Sequence, residues 1–290
     1  MPGGFMEVTI RADQDLTDQL IGILSQIGVE GFWEDDGQIR CYIHGDRWDD
    51  QLRDEIRRMV GFIARGSSSP TPAIAFDFSE DRNWNEAWEK TIRPIRVSDR
   101  IVVTPSWADY EPSPDDVVLV IDPKMSFGTG HHETTRLSLK LIESNIRPAI
   151  RCLDVGSGTG ILGIAACKLG AASCLSVDVD EWAYRNAQEN IRLNGVESYV
   201  RLLHGSLPMA PRDQFDMIVA NIQLDVIIAL MEEMTSRLAP GGVVILSGLL
   251  AADEDQIRKL LNRHRLTVKT LLAEGEWIAL AAGAELTEQN

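Results

Sequence analysis

The stretch CLDVGSGTGILGIAACKLG, residues 152 to 170, constrains the fold more than any other part of the chain. Cys152 to Val155 reads as an apolar strand, and Ile161 to Leu169 has the spacing of a buried helix. Between them stand glycines 156, 158 and 160. Glycine permits a tight left-handed turn and lets a ligand approach the backbone. Glycines at such density cost chain entropy without a packing return, so a plain turn explains them poorly. The segments that follow alternate. Strands are predicted over Cys174–Asp178, Tyr199–His204, Phe215–Ala220 and Val243–Ser247, and helices over Glu181–Leu193, Leu224–Leu238 and Asp253–Asn262. This pattern predicts a doubly wound α/β fold, a parallel sheet with helices on both faces. Two closing strands, Val268–Leu272 and Trp277–Ala281, have no helix between them, and so short a connection requires an antiparallel pairing.

At 290 residues the chain is long enough for two domains. Residues 1–80 read as a separate small α+β unit. Strands are expected from Met6, over Glu30–Glu34, over Ile39–Ile43 and over Ala73–Phe78. Helices are expected over Asp15–Ile27 and Asp49–Ala64. The order βαββαβ is ferredoxin-like, an order that many unrelated functions share. Residues 81–95 form a helical linker in which Trp84 and Trp88, four apart, are read as packing between domains rather than as ligand contacts. Residues 96–290 form the catalytic domain, entered through strands at Ile101–Pro105 and Val117–Ile121.

The chemistry sits in this second part. Asp154, Gly156, Gly158 and Gly160 line the turn after the first strand of the alternation. The run from Gly158 to Gly163 also fits GxGxxG, so a nicotinamide dinucleotide and S-adenosylmethionine are both compatible with the loop alone. Asp178 ends the next strand, where a carboxylate can accept hydrogen bonds from ribose hydroxyls. Asp180 is assigned as the cap of the following helix, although the two roles are exchangeable on spacing alone. Asn221 falls at the tip of the fourth strand, beside the crevice at the carboxyl ends of the strands. There its amide can orient a nucleophile or a cofactor amine, or else cap the next helix. Thr134 and Thr135 open an amphipathic helix after the turn Gly128-Thr129-Gly130. His131 and His132 lack a third ligand at metal spacing, so no metal is expected.

Composition narrows the partners. The formal net charge of −16 repels phosphate backbones and attracts basic proteins, and it also serves solubility. The four cysteines form no CxxC pair and are expected to be reduced thiols in a cytoplasmic protein. No apolar run approaches the ~20 residues that span a bilayer, and the first residues carry no secretory pattern.

FGTGHHETT, LDVGSGTGILGIAACKLGA, VDVDEWAYRNAQENIRLNGV and VANIQL resemble the corresponding segments of the PrmA family, the ribosomal protein L11 methyltransferases. NWNEAWEKTIRPIRV with TPSW, and the late GEW at 275–277, are similar to that family too. The resemblance covers most of residues 81–280 and is weakest in the first domain. It implies a ferredoxin-like substrate-recognition domain joined to a Rossmann-like catalytic domain. It also implies S-adenosylmethionine as co-substrate and methylation of amino groups, on lysines or an N-terminal α-amine, of a basic ribosomal protein. By the same resemblance Thr135, Gly156, Asp178 and Asn221 contact S-adenosylmethionine; for such a transfer, Asn221 and nearby backbone carbonyls are the expected orienters of the amine. Gln223 departs from the family's Asn-Ile-Leu at the fourth strand.

Methylation of another protein's lysine or of a small-molecule amine would preserve every signal in the second part. A nucleic-acid amine methyltransferase usually ends the fourth strand in Asn-Pro-Pro-aromatic, whereas this chain has Asn221-Ile-Gln-Leu224. An inactive scaffold would be expected to lose the glycine loop or Asp178, and both are present.

Overall fold

The computed structural model describes residues 4–12, 16, 20, 24, 30–35, 38–65, 72–80, 92–122 and 128–284. The chain divides into two compact units, Met1–Glu89 and Lys90–Asn290.

In the first unit, strands β1 (Gly4–Arg11), β2 (Glu30–Asp35), β3 (Gln38–His44) and β4 (Ala73–Glu80) form an antiparallel sheet in the order β2-β3-β1-β4. The period of two along β1 turns Met6, Val8 and Ile10 to one face, where they are buried. That face is covered by Ile56 and Val60 of helix α1 (Asp50–Arg65) and by Leu16, Leu20 and Leu24, which are helical and buried at the predicted four-residue spacing. The rest of the segment Asp15–Ile27, the turn at residues 36–37, the loop 66–71 and the connector 81–91 with Trp84 and Trp88 lie outside the described residues.

The second unit begins with a small sheet, two of whose strands fall where the sequence places strands. Strand β5 (Ile95–Arg96) pairs antiparallel with β6 (Ile101–Thr104), and β6 pairs parallel with β7 (Val117–Val120). As expected, β6 and β7 lead into the second domain. They form a separate sheet in the order β5-β6-β7.

Helix α2 (Glu133–Asn145) then precedes the main alternation: β8 (Arg151–Val155), α3 (Ile161–Lys168), β9 (Ser173–Asp178), α4 (Glu181–Leu193), β10 (Val200–His204), β11 (Phe215–Asn221), α5 (Leu224–Ser236), β12 (Leu238–Leu250), α6 (Glu254–Arg263), β13 (Leu266–Glu274) and β14 (Trp277–Ala284). The seven strands lie in the order β10-β9-β8-β11-β12-β14-β13. β10, β9, β8, β11 and β12 are mutually parallel, and β14 is antiparallel to both its neighbours, as the short connection required. Several boundaries differ from expectation, those of β12 and α5 among them. β12 is longer than Val243–Ser247, because it pairs from Leu238, opposite Phe215, to Leu250, opposite Trp277. For the same reason α5 stops at Ser236 rather than Leu238: the next residues are already committed to the sheet.

Apolar side chains fill both faces. Leu137, Leu139, Leu141 and Ile142 of α2 pack with Ile161, Leu162 and Ile164 of α3 on one face. Ile227, Met231 and Met234 of α5 pack with Ile257 and Leu261 of α6 on the other. From β8 the chain winds outward through β9 to β10, then returns to β11 on the other side of β8. The winding therefore reverses between β8 and β11, and ligands of open α/β sheets bind outside the carboxyl ends at such a reversal.

Candidate active site

Two loops flank that reversal, and the first is the glycine loop. Gly156, Gly158 and Gly160 have φ of 75°, 53° and 81°, the left-handed region that L side chains rarely adopt. At Gly156 there is no room either: a Cβ would run into Ile222 Cγ2, across the crevice. Gly160 is the N-cap of α3 and brings no side chain, so it offers the helix start no side-chain hydrogen bond. The third glycine of the GxGxxG match has a different task. A Cβ on Gly163 would lie 2.5 Å from Ser176 Oγ, so its absence lets α3 sit against β9.

Three carboxylates stand around this loop. Asp178, half-buried at the tip of β9, accepts from Gly158 N–H at 2.8 Å and from Asp180 N–H at 3.0 Å. It thereby ties the glycine loop to the neighbouring strand end. Asp180 caps α4, accepting from the N–H groups of Trp182 at 2.7 Å and Ala183 at 3.4 Å. The cap therefore falls to Asp180, as assigned. Asp154 is 1 % exposed. Its Oδ2 accepts from Gly163 N–H at 3.2 Å and from Ser176 Oγ at 3.3 Å. Burial pushes its pKa up to about 7, Asp178 adds to that, and the two hydrogen bonds oppose it.

The second loop is the tip of β11. Asn221 is 8 % exposed and donates from Nδ2 to Thr135 Oγ1 at 3.4 Å. It is not a helix cap, since the N-cap of α5 is Gln223. Thr135 itself is fully buried in the first turn of α2. Beside it, the Thr134 carbonyl accepts from Ser138 Oγ at 2.7 Å and Ser247 Oγ at 3.0 Å, which fixes the helix start against β12. His132 caps α2, its Nδ1 accepting from Thr134 N–H at 3.3 Å. The ring of Trp277 meets that of His132 edge-on at 5.1 Å, and Arg136 donates to Glu274 at 2.5 Å. The late GEW segment is thus brought to the helix start. His131 and His132 serve local structure here, His131 Nε2 lying 3.2 Å from the Arg93 carbonyl.

Among the described residues, Asp154 Oδ1, Ser157 Oγ and Asn221 Oδ1 are buried without a hydrogen-bond partner. Buried polar groups are normally paired, and these belong to the residues that border the two loops. A left-handed glycine cradle, a carboxylate at the adjacent strand tip and an unsatisfied amide oxygen suit a nucleoside with a polar tail and an incoming donor group.

The comparison with known proteins identifies that chemistry. The profile described as "Ribosomal protein L11 methyltransferase (PrmA)" matches residues 4–285. The chain belongs to this family. The ribosomal protein L11 methyltransferase of Chlorobaculum parvum is 36 % identical over 94 % of each chain. That of Desulforapulum autotrophicum is 42 % identical over 70 % of this chain and 67 % of the relative. A solved ribosomal protein L11 methylase from Lactobacillus delbrueckii subsp. bulgaricus superposes with a TM-score of 0.63 at 34 % identity, covering 67 % of this chain and 99 % of that one. The protein is a methyltransferase of the Rossmann-like type, and its methyl donor is S-adenosylmethionine. No helix among the described residues is long and apolar enough to cross a membrane.

Behind this PrmA-type site, motif reading missed two asparagines. Asn190 on α4 and Asn194 at its C-cap, one turn apart, hold the edge of β7. Asn194 Oδ1 accepts from Val120 N–H at 2.9 Å while its Nδ2 donates to Val120 O at 2.6 Å, as a neighbouring strand would. Asn190 does the same for Asp122, at 2.9 and 3.3 Å.

Proposed function

We propose that this protein transfers methyl groups from S-adenosylmethionine to amino groups of ribosomal protein L11, on lysine side chains, the N-terminal α-amine or both. The observation that carries this reading is the buried, unpartnered Oδ1 of Asn221, held beside Thr135 at the reversal of the sheet. An amine N–H is a partner that this oxygen lacks. The donor, when bound, supplies an electrophilic methyl group on a sulfonium sulfur. Gly156, Gly158 and Gly160 cradle it, Asp178 takes its ribose hydroxyls, and Asp154 and Thr135 complete its pocket.

A free lysine has a pKa of about 10.4 and is nucleophilic only when neutral. Asn221 Oδ1 orients the nitrogen by accepting one of its hydrogens. The buried surroundings of Thr135 and Asn221, 0 % and 8 % exposed, disfavour the charged ammonium. The contribution of the chain is then positioning and desolvation rather than a strong base.

Residues 1–80 are proposed as a ferredoxin-like recognition domain, residues 81–95 as its linker and residues 96–290 as the catalytic domain. The strand order β2-β3-β1-β4, with helical residues between β1 and β2 and α1 between β3 and β4, supports the ferredoxin-like reading. This stretch contains no lysine, and its carboxylates outnumber its arginines. Such a surface attracts a basic protein and repels nucleic acid. A cytoplasmic setting with reduced thiols is part of the same reading.

The test is incubation with labelled S-adenosylmethionine and total ribosomal protein, followed by mass spectrometry of the labelled species. Label on amines of L11 is the expected result. Label confined to another protein or to a small amine would redirect the substrate, and no label at all would refute the activity.

A further inference from the structure

Asn221 and Thr135 are set by different elements, β11 and α2, and something must hold α2 in register with the cofactor loop. The hydrogen bonds lead to one side chain. Thr159, fully buried inside the glycine loop, donates from Oγ1 to the Gly128 carbonyl at 2.7 Å. Its own carbonyl accepts from Asn190 Nδ2 at 2.9 Å, and Asn190, also fully buried, grips both backbone groups of Asp122. Asp122 and Gly128 are thus tied to the same residue of the loop. Packing around the tie is close. A Cβ at Gly128 would lie 2.8 Å from Thr159 Oγ1, and one at Gly130 would lie 2.9 Å from Val103 Cγ1. From Gly130 the chain runs directly to the His132 cap and to Thr135, whose N–H donates to the His132 carbonyl at 3.1 Å.

We infer that Thr159 is a positioning residue for the Thr135–Asn221 pair, with Asn190 as its anchor. Its hydroxyl does not face the reacting groups. It locks the start of α2 onto the glycine loop, so that the loop and the amine-orienting pair form one rigid constellation. The inference rests on the proposed role of Asn221. Buried hydroxyls that satisfy a neighbouring carbonyl are common. The functional content here is that this carbonyl begins the segment that carries Thr135.

Three substitutions in the full-length chain test it: Thr159→Val, which keeps shape and removes the hydroxyl, Thr159→Ser, which restores it, and Thr135→Val. Amide hydrogen exchange is followed without donor, donor affinity by calorimetry, and methyl transfer in a single turnover at saturating donor. Thr159→Val is expected to speed exchange of the amides in residues 130–137 by about five- to tenfold, the equivalent of one buried hydrogen bond. Methyl transfer should slow by a similar factor while donor affinity stays within about twofold, and Thr159→Ser should restore both. Thr159→Val added to Thr135→Val should slow transfer no further, as expected of residues that act as a unit. Unchanged exchange in 130–137, faster exchange spread evenly over residues 90–284, or additive effects of the two substitutions would overturn the inference. If the unaltered protein bound no donor, the functional reading would fail, whereas the exchange result would still decide the role of Thr159.

Discussion

Asp154→Asn offers a test of the electrostatics beneath the glycine loop. The Asp154 side chain is 1 % exposed and its Oδ1 has no partner among the described residues. Burial raises its pKa from the ordinary 3.8 to about 7. Between about pH 4 and pH 7 the folded protein therefore holds a proton at Asp154 that the unfolded chain has released. Because the folded value is the raised one, the associated stability is fully present below about pH 4 and is lost as pH rises to about 7. At about 1.4 kcal/mol per pH unit the full loss is about 4 kcal/mol. Roughly 2 kcal/mol of it falls between about pH 5.5 and pH 8. Asparagine cannot titrate, so the variant escapes this loss, at a cost of about 1–3 kcal/mol for the amide N–H2 placed where Oδ1 lacked a partner. That cost is independent of pH. The neighbouring thiols do not interfere, since burial pushes Cys152 up to about 12 and Cys174 well above its ordinary value. Urea unfolding of both proteins without donor, repeated across this pH range, measures the gap in stability. The gap should move by about 2 kcal/mol in favour of Asp154→Asn as pH rises. Parallel profiles for the two proteins would refute the claim that Asp154 is protonated in the fold.

Asp178→Ala should weaken S-adenosylmethionine binding by about tenfold or more, because a charged acceptor is worth about 1.5–3 kcal/mol to a hydroxyl. Calorimetry decides this, and unchanged affinity in a folded variant would remove Asp178 from the site. Asn221→Ala should reduce turnover more than donor affinity, since its proposed part is to orient the amine at the moment of transfer. Equal fractional losses in both would assign it to donor binding alone. A chain starting near Asp81 should still bind the donor but lose methylation of L11, and methylation at the full-length rate would make the first domain a stabiliser instead.

Local chemistry was legible in the sequence. The strand, glycines and helix of residues 152–170 form where expected, because a left-handed turn is encoded by residue type and needs no distant partner. Asp180 capping α4 is likewise a decision made within four residues. Asn221 was ambiguous on the same local grounds, since asparagine suits both a cap and a site. The fold resolves it by giving the cap to Gln223 and turning the amide to Thr135. Asn190 and Asn194 were illegible: nothing local marks them, and their side chains are paired only because the backbone of residues 120–122 arrives beside them. Trp277 and Glu274 reach His132 and Arg136 across more than a hundred residues of chain, and no spacing rule connects them. Periodicity alone determined which segments are strands and helices, and the glycines determined where a ligand can approach the backbone. The order of the strands, and with it the reversal between β8 and β11 that makes those tips neighbours, was decided only by tertiary packing. Hydrophobic pattern specifies which face of a strand is buried, while its neighbour in the sheet depends on the joint burial of every other element.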